Sequence, residues 1–187
     1  MILSDVIGEL RARCPSFADP AGGPARVGGA AQFRILPEAA NLVVPAAYVL
    51  PLDENAGAVE SESEYLQYSD DGFAVVVVLS NVADERGQAA ANDVHSKRAE
   101  IWKAILGFVI GDYYPIKYGG GQVIHLDRAR LYYQFEFSAK FVIDKDDTRQ
   151  GVDVAAAPTF TKLHVELGID ASDPSQDPVF EVNPSQD

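Results

Sequence analysis

Three histidines, one cysteine, a glycine run and several carboxylate clusters are the residues through which this chain could do chemistry. Zinc would need three or four His or Cys ligands at short spacings. His95, His125 and His164 fall on three separate segments, form no His-x-x-x-His pair, and have no cysteine beside them. Calcium would need oxygen ligands at alternate positions and a glycine at the sharp turn. Asp53-Glu54-Asn55 lacks that spacing, and Asp144, Asp146 and Thr148 are followed by Arg149 where the glycine belongs. Gly119-Gly120-Gly121 would cradle a phosphate only with a helix start and a lysine behind it. Neither follows, so a tight turn entering a strand is expected there. No Gly-x-Ser-x-Gly elbow is present, and Cys14 lies next to Pro15 with no histidine nearby, which suits a packed thiol rather than a nucleophile. Glu60, Glu62 and Glu64 would share one side of an extended segment, where three like charges repel; that fits a wet surface better than an acid–base pair. The expectation is no catalytic residue, no metal, no cofactor and no enzyme.

Composition allows a real core: of 187 residues, 47% are hydrophobic and 23% charged. The longest apolar runs, such as Phe73 to Leu79, fall far short of the roughly 20 residues that cross a bilayer, so no membrane partner is expected. The first 14 residues lack a basic segment followed by an apolar one, so no signal peptide is expected. A lone thiol suits a reducing compartment. The net charge of −13 is concentrated in two places. Residues 53–72 hold seven acids and no base, and residues 144–187 hold ten acids against three bases. These segments either keep the protein soluble or face a lumen or partner. Sequence-specific DNA binding is disfavoured, because phosphate contacts need clustered Lys and Arg.

The elements that must position these residues follow from periodicity. Ser4 caps a short helix to about Arg13, with Val6, Ile7, Leu10 and Cys14 on one side and Pro15 as its stop. Pro20 to Gly29 reads as loop, and Ala30 to Ala40 as a turn of helix broken at Pro37. Ala46 to Leu52 is a first strand, placed at an edge by Pro51. Glu62 to Tyr68 and Phe73 to Asn81 form a hairpin across Ser69-Asp70-Asp71-Gly72. Phe73 to Leu79 is apolar at every position, which requires a central strand covered on both faces, by a helix on one and by another subunit on the other. The covering helix spans Gln88 to Gly107, with Val94, Ile101, Trp102 and Ile105 inward and Lys97, Arg98 and Lys103 outward. Gln122 to Leu126 pairs with a long strand across Asp127 to Arg130, and a last strand runs from Thr159 to Leu167. Beyond Gly168 the chain is acidic and proline-spaced, and reads as an extended arm.

The long strand, LYYQFEFSAKFVI from Leu131 to Ile143, alternates strictly between an apolar and a polar face. Thirteen residues at roughly 3.3 Å each span about 43 Å, more than one small domain needs. Tyrosines cluster around such strands, and Tyr65, Tyr68, Tyr132 and Tyr133, with Phe73, are candidates for an oligomer interface; ordinary sheet packing is the alternative.

Five strings, RVGGAAQF (Arg26 to Phe33), PAAYVLPL (Pro45 to Leu52), FAVVVVLSNVADERG (Phe73 to Gly87), AEIWKAILG (Ala99 to Gly107) and PIKYGGGQVIHLDRARLYYQFEF (Pro115 to Phe137), resemble the tail terminator proteins of long-tailed bacteriophages, in the group found in Mu-like and Pseudomonas-type prophages. The resemblance covers roughly residues 1–145. It implies an α+β fold, a mainly antiparallel sheet with one long and one short α-helix packed on it, in a domain of residues 1–150. Residues 151–187 would then be a C-terminal strand and acidic arm. It further implies a homo-oligomer, a hexameric ring that caps the tail tube protein, stops its polymerisation and meets a head-completion or stopper protein at the neck. Genomic DNA would pass through the channel without specific binding, past Glu60, Glu62 and Glu64 as candidate lining. The protein would reside in the virion, after assembly in the host cytoplasm. The rival readings are another neck or tail-tube component, or a soluble small-molecule-binding domain of bacterial origin.

Overall fold

The computed structural model describes residues 3–34, 42–61, 64–81, 88–159, 161–166 and 179–182. The chain divides into two compact units, Met1–Asp144 and Lys145–Asp187. The first contains helix α1 (Leu3–Arg13), strand β1 (Val27–Gly29), helix α2 (Ala30–Arg34), strands β2 (Ala46–Val59) and β3 (Leu66–Ser80), helix α3 (Gln88–Ile105), and strands β4 (Lys117–Leu126) and β5 (Arg130–Asp144). Its five strands lie in the order β1-β2-β3-β5-β4. Only the β1–β2 pair is parallel. This is the α+β class, with a mainly antiparallel sheet, that the sequence leads one to expect.

The sheet is organised around β3. Every residue from Phe73 to Leu79 is buried, because β3 is the middle strand and has a neighbour along each side. Phe73, Val75, Val77 and Leu79 join one large core with Ala47 and Val49 of β2 and Phe135 and Phe137 of β5. Helices α1 and α3 close that face through Val6, Leu10, Ile101 and Ile105. Burying each such side chain contributes about 1.5–3 kcal/mol. Phe73 stacks on Phe137 with ring centroids 5.4 Å apart, and Tyr118 and Trp102 extend the aromatic contact edge to face. On the opposite face the chain supplies cover of its own. Ala46, Tyr48 and Val78 form a second, small cluster with Phe33, Leu42, Val44 and Tyr132 packed against it.

Both helices keep the expected apolar stripes. In α1 the buried Val6, Leu10 and Cys14 recur every fourth residue, and Pro15 opens a 3-10 turn that carries Phe17 into the core. Ser4 lies inside the first turn rather than at the cap, and its hydroxyl donates to Asp5. α3 ends before Gly107, whose φ of 80° is the left-handed conformation that closes helices. Lys97 does not face outward. It is half-buried, paired with Asp93, and donates to the Ser16 hydroxyl at 3.0 Å, while Glu100 accepts from the Ser16 backbone at 2.8 Å. These two contacts tie α3 to the turn after α1.

Three local expectations are corrected. Ser69-Asp70-Asp71-Gly72 is not a turn; it lies within β3 and is paired on both sides, Asp70 opposite Asn55 and Lys140, and Gly72 opposite Ser138. Gly72 is needed for another reason. A Cβ there would stand 2.8 Å from the Asp53 carbonyl oxygen, at the bulge where β2 slips between Pro51 and Glu54. Gly119-Gly120-Gly121 likewise lies inside β4, where a Cβ on Gly121 would meet the Tyr133 ring at 2.8 Å. The run Pro20 to Gly29, expected as loop, contributes β1 at its end. β2 is consequently second in the sheet, but β1 flanks only Ala47 to Val49, so Pro51 does lie where β2 has no outer neighbour among the described residues.

The second unit begins with a 3-10 turn, Lys145–Asp147, and a short helix α4 (Arg149–Ala155) capped by Thr148, whose hydroxyl accepts from the Gly151 amide at 3.2 Å. Strands β6 (Leu163–Glu166) and β7 (Val179–Val182) pair antiparallel. Part of the expected arm is therefore a strand, and the expected last strand is shorter than Thr159 to Leu167.

Gly72→Ala should cost about 1–3 kcal/mol, the usual penalty for forcing an extra carbon into a closed space, as measured by equilibrium urea unfolding. A midpoint unchanged from wild type would show that the bulge relaxes freely and that Gly72 is not a packing requirement.

Candidate assembly surface

The chemical candidates fall on separate elements. His95 is exposed on α3, with its Nδ1 2.9 Å from Arg98, and His125 is exposed on β4, 3.7 Å from Asp127. His164 belongs to β6 in the second unit. Among the described residues no group of three His, Cys, Asp or Glu side chains could hold a metal. Asp127 serves the β4–β5 turn instead. Its carboxylate accepts from the Ala129 and Arg130 amides at 2.7 Å, and those two bonds hold its pKa below the ordinary value.

Cys14 is buried at 1% exposure. Burial first, then the charge of Glu100, pushes its pKa up to about 12 from an ordinary 9.0. A raised thiol contributes stability that is complete below about pH 9 and is lost as the pH climbs through about 12, because only the unfolded chain ionises in between.

The candidate lining residues are placed by the β2–β3 connection. Glu60 and Glu64 are both exposed, with the Glu60 amide bonded to the Leu66 carbonyl at 2.8 Å and the Glu64 amide to the Ser61 hydroxyl at 3.2 Å. They occupy a turn rather than one face of a strand, and Glu62 lies outside the described residues. The aromatic candidates do not form one patch. Tyr65 is 37% exposed and donates to Gln67 at 2.6 Å, and Tyr68 lies under the Lys140 ammonium at 3.8 Å. Tyr132 and Tyr133 sit opposite Val78 and Val77, some ten residues or about 33 Å along β5 from Tyr68's partner Val142. Adjacent in a strand, they point to opposite faces. Tyr132 packs on the small cluster and Tyr133 on the large core. Phe73 has no exposed surface. Its role is the core, and it leaves the interface set.

The surface that sequence reasoning missed is formed by the sheet's margins. Along β4, Val123, Ile124 and Leu126 are 54%, 41% and 59% exposed, and among the described residues no strand pairs outside them. On the other side, β2 is exposed from Pro51 to Val59, with Leu52 at 40% and Val59 at 49%. The two margins differ in charge. β4 carries Lys117 and His125 and no acid; the outer half of β2 carries Asp53 and Glu54 and no base. Both are interrupted by register shifts, at Pro51/Glu54 and Ala56/Val59 in β2 and at Tyr118/Gly120 and Val123/His125 in β4. Consecutive apolar residues on a strand next to a turn were the available signal, but only topology tells which strand is left outermost.

At pH 8 the Cys14 thiol should react with an aromatic disulfide reagent about three orders of magnitude more slowly in the native protein than in the denatured chain, because the thiolate is the reacting form. Rapid labelling of native protein would show an accessible, activated thiol.

Among curated proteins none matches the chain. The family profile described as phage tail terminator protein matches residues 2–149. That span takes in the whole five-stranded sheet, α1 to α3 and both open margins, and reaches the start of α4. It holds no metal-ligand cluster among its described residues. On this match the chain belongs to the phage tail terminator family, structural proteins of the bacteriophage tail.

Proposed function

We propose that copies of this chain associate head to tail into a closed ring that seats on the end of the tail tube, stops its growth and presents a surface to the head-completion protein. The observation that carries this reading is the pair of open margins. An unpaired strand edge bearing exposed apolar side chains is an association site, and two different margins on opposite sides of one sheet make a heterologous contact that closes into a ring when the rotation permits. Their opposite charge favours β4 of one copy beside β2 of the next and disfavours each margin against itself. The bulges restrict pairing to a partner of matching outline. A stoichiometry of six follows from the family likeness.

In such a ring Glu60, Glu62 and Glu64 line the channel, where their charge repels DNA phosphates and lets the genome pass without holding it. Tyr65, Tyr68, Tyr132 and Tyr133 are half-exposed or half-buried rings available to the contact, with Tyr65 and Tyr68 at one end of the sheet and Tyr132 and Tyr133 at the other.

Size-exclusion chromatography with light scattering should give a hexameric mass, alone or once tube protein is added. Val123→Glu, which sets a carboxylate against the acidic margin, should weaken association about tenfold or more while changing stability by no more than about 0.5 kcal/mol, as expected of an exposed site. A monomer at every concentration, with and without tube, would overturn the ring. A ring unaffected by Val123→Glu would place the contact elsewhere on the sheet.

A further inference from the structure

The two open margins of the sheet match each other in length and outline. β4 has ten residues, Lys117–Leu126, and among the described residues no strand pairs along its outer side. β1 covers only Ala47 to Val49 of β2, which leaves the outer side of β2 open from Pro51 to Val59 among the described residues. Each margin is bent by two one-residue bulges, and the spacing of the bulges is the same. In β4 they fall at Gly119 and Ile124, five positions apart. In β2 they fall at Leu52-Asp53 and Gly57-Ala58, also five apart. We propose that β4 of one copy pairs through its backbone, antiparallel, with β2 of the next copy, in the register that sets Lys117 opposite Glu60 and Leu126 opposite Pro51. Such pairing presupposes the ring described above and specifies the joint between its copies.

Direction follows from topology. Three antiparallel pairings separate β2 from β4, so the two run oppositely, and β2 of a like-oriented neighbour meets β4 antiparallel. Register follows from the bulges. A bulge bends its strand, and two strands lie together along their length only if they bend at the same level. Setting Ile124 opposite Asp53 also sets Gly119 opposite Ala58, so one register serves both bends. It keeps the faces continuous as well. Tyr118, Val123 and Leu126 pair with core residues of β5, and the residues that they would meet, Val59, Glu54 and Pro51, pair with Gln67, Asp71 and Phe73 on the same side of β3. A slip of one residue would turn one strand's side chains to the wrong face. The resulting neighbours are compatible: Lys117 meets Glu60, Gln122 meets Asn55, and the three glycines of β4 meet Ala56, Gly57 and Ala58, so no bulky side chain holds the strands apart there. Pro51, which has no N–H to offer, falls at the last residue of β4.

This register also supplies the stagger that a closed sheet needs. The first bulge of β2 lies level with Gly72 and Ser138, whereas its counterpart in β4 lies level with Tyr133 and Tyr132. Successive copies are thus offset along the strands by about 18 Å, against about 19 Å across the four strands β2, β3, β5 and β4. The strands would tilt by about 43°, within the roughly 35–45° of closed sheets.

Paired cysteines in the full chain test the joint, because the native Cys14 is buried with its pKa pushed up to about 12 and does not compete. Asn55, Gln122 and His125 are all exposed. Asn55→Cys with Gln122→Cys should give, under mild oxidation at pH 8, disulfide-linked chains up to the mass of the ring on a non-reducing gel. Asn55→Cys with His125→Cys should cross-link about tenfold less or worse, since an offset of three residues is about 10 Å and a disulfide spans Cα atoms no more than about 7 Å apart. Each single variant should remain unlinked. Light scattering reads the ring separately. A hexamer that cross-links equally at both pairs, or at neither, would overturn this register and leave the ring standing. Monomers under every condition would overturn the ring, and the joint with it. Lys117→Glu should weaken association about tenfold, and Glu60→Lys in the same chain should restore it to within about threefold. Absence of that rescue in a variant with native circular dichroism would also overturn the register.

Discussion

Seven consecutive buried residues, Phe73 to Leu79, impose the constraint on which the first unit depends. A strand that is apolar on both faces is stable only when it has strands on both sides and cover above and below. The cover is unequal. α1 and α3 bring Val6, Leu10, Ile101 and Ile105 to one face and build a large core. Among the described residues the other face receives Tyr48, Tyr132, Phe33, Leu42 and Val44. Ala74 and Val76 nevertheless reach zero exposure there, because small side chains on that face are shielded by larger cross-strand neighbours, Gln134 and Glu136 among them. The protein thus solves the two-sided strand with its own chain, and a partner subunit is not needed to bury it.

Exposed apolar side chains are concentrated instead at the margins. β2, β3 and β5 run 14, 15 and 15 residues, and pairing of β3 with β5 is unbroken from Leu66 to Ser80. Backbone groups of the central strands are satisfied by one another along the whole length, so the strands persist beyond the helices that cover them. Among the described residues the outermost strands have no such neighbour on their outer side. Natural sheets blunt exposed edges with charge, bulges and short strands; both margins here have bulges and some charge, yet retain Leu52, Val59, Val123, Ile124 and Leu126 on display. That combination limits pairing to a partner of the right outline without abolishing it.

Much of this fold was legible because burial writes a period into sequence. The alternation from Leu131 to Ile143, the unbroken apolar run of β3 and the stripe of α3 each specify an element and its inner face. What misled was punctuation. Asp71-Gly72 and the glycine run at 119–121 carry the composition of turns, but at these positions glycine answers a close approach, of Asp53 to Gly72 and of Tyr133 to Gly121, set by strands distant in sequence. Lys97 misled similarly: its position on the helix wheel is outward, and only the turn carrying Ser16 draws it in. The candidate surface was the least legible, because Tyr132 and Tyr133 are neighbours in the chain and lie on opposite faces, and because edge status belongs to the sheet rather than to any strand.

The distribution of charge follows from the same geometry. Acids within the sheet are placed where an uncharged or cationic partner meets them: Glu54 accepts from the buried Ser69 at 2.9 Å, Asp71 from Tyr113 at 3.2 Å, and Asp70 stands opposite Lys140. Burial and the neighbouring Asp71 charge raise the Tyr113 phenol pKa, which keeps it a neutral donor to that carboxylate. Glu60 and Glu64, by contrast, are exposed in the connection between β2 and β3. Charge held in place by side-chain partners stabilises the sheet; charge at an exposed connection is screened by solvent and contributes less. Within the described sheet these contacts hold Glu54 and Asp71 in place, whereas Glu60 and Glu64 lie exposed at its end, so the acidity of this chain is divided between a structural and a solvated set.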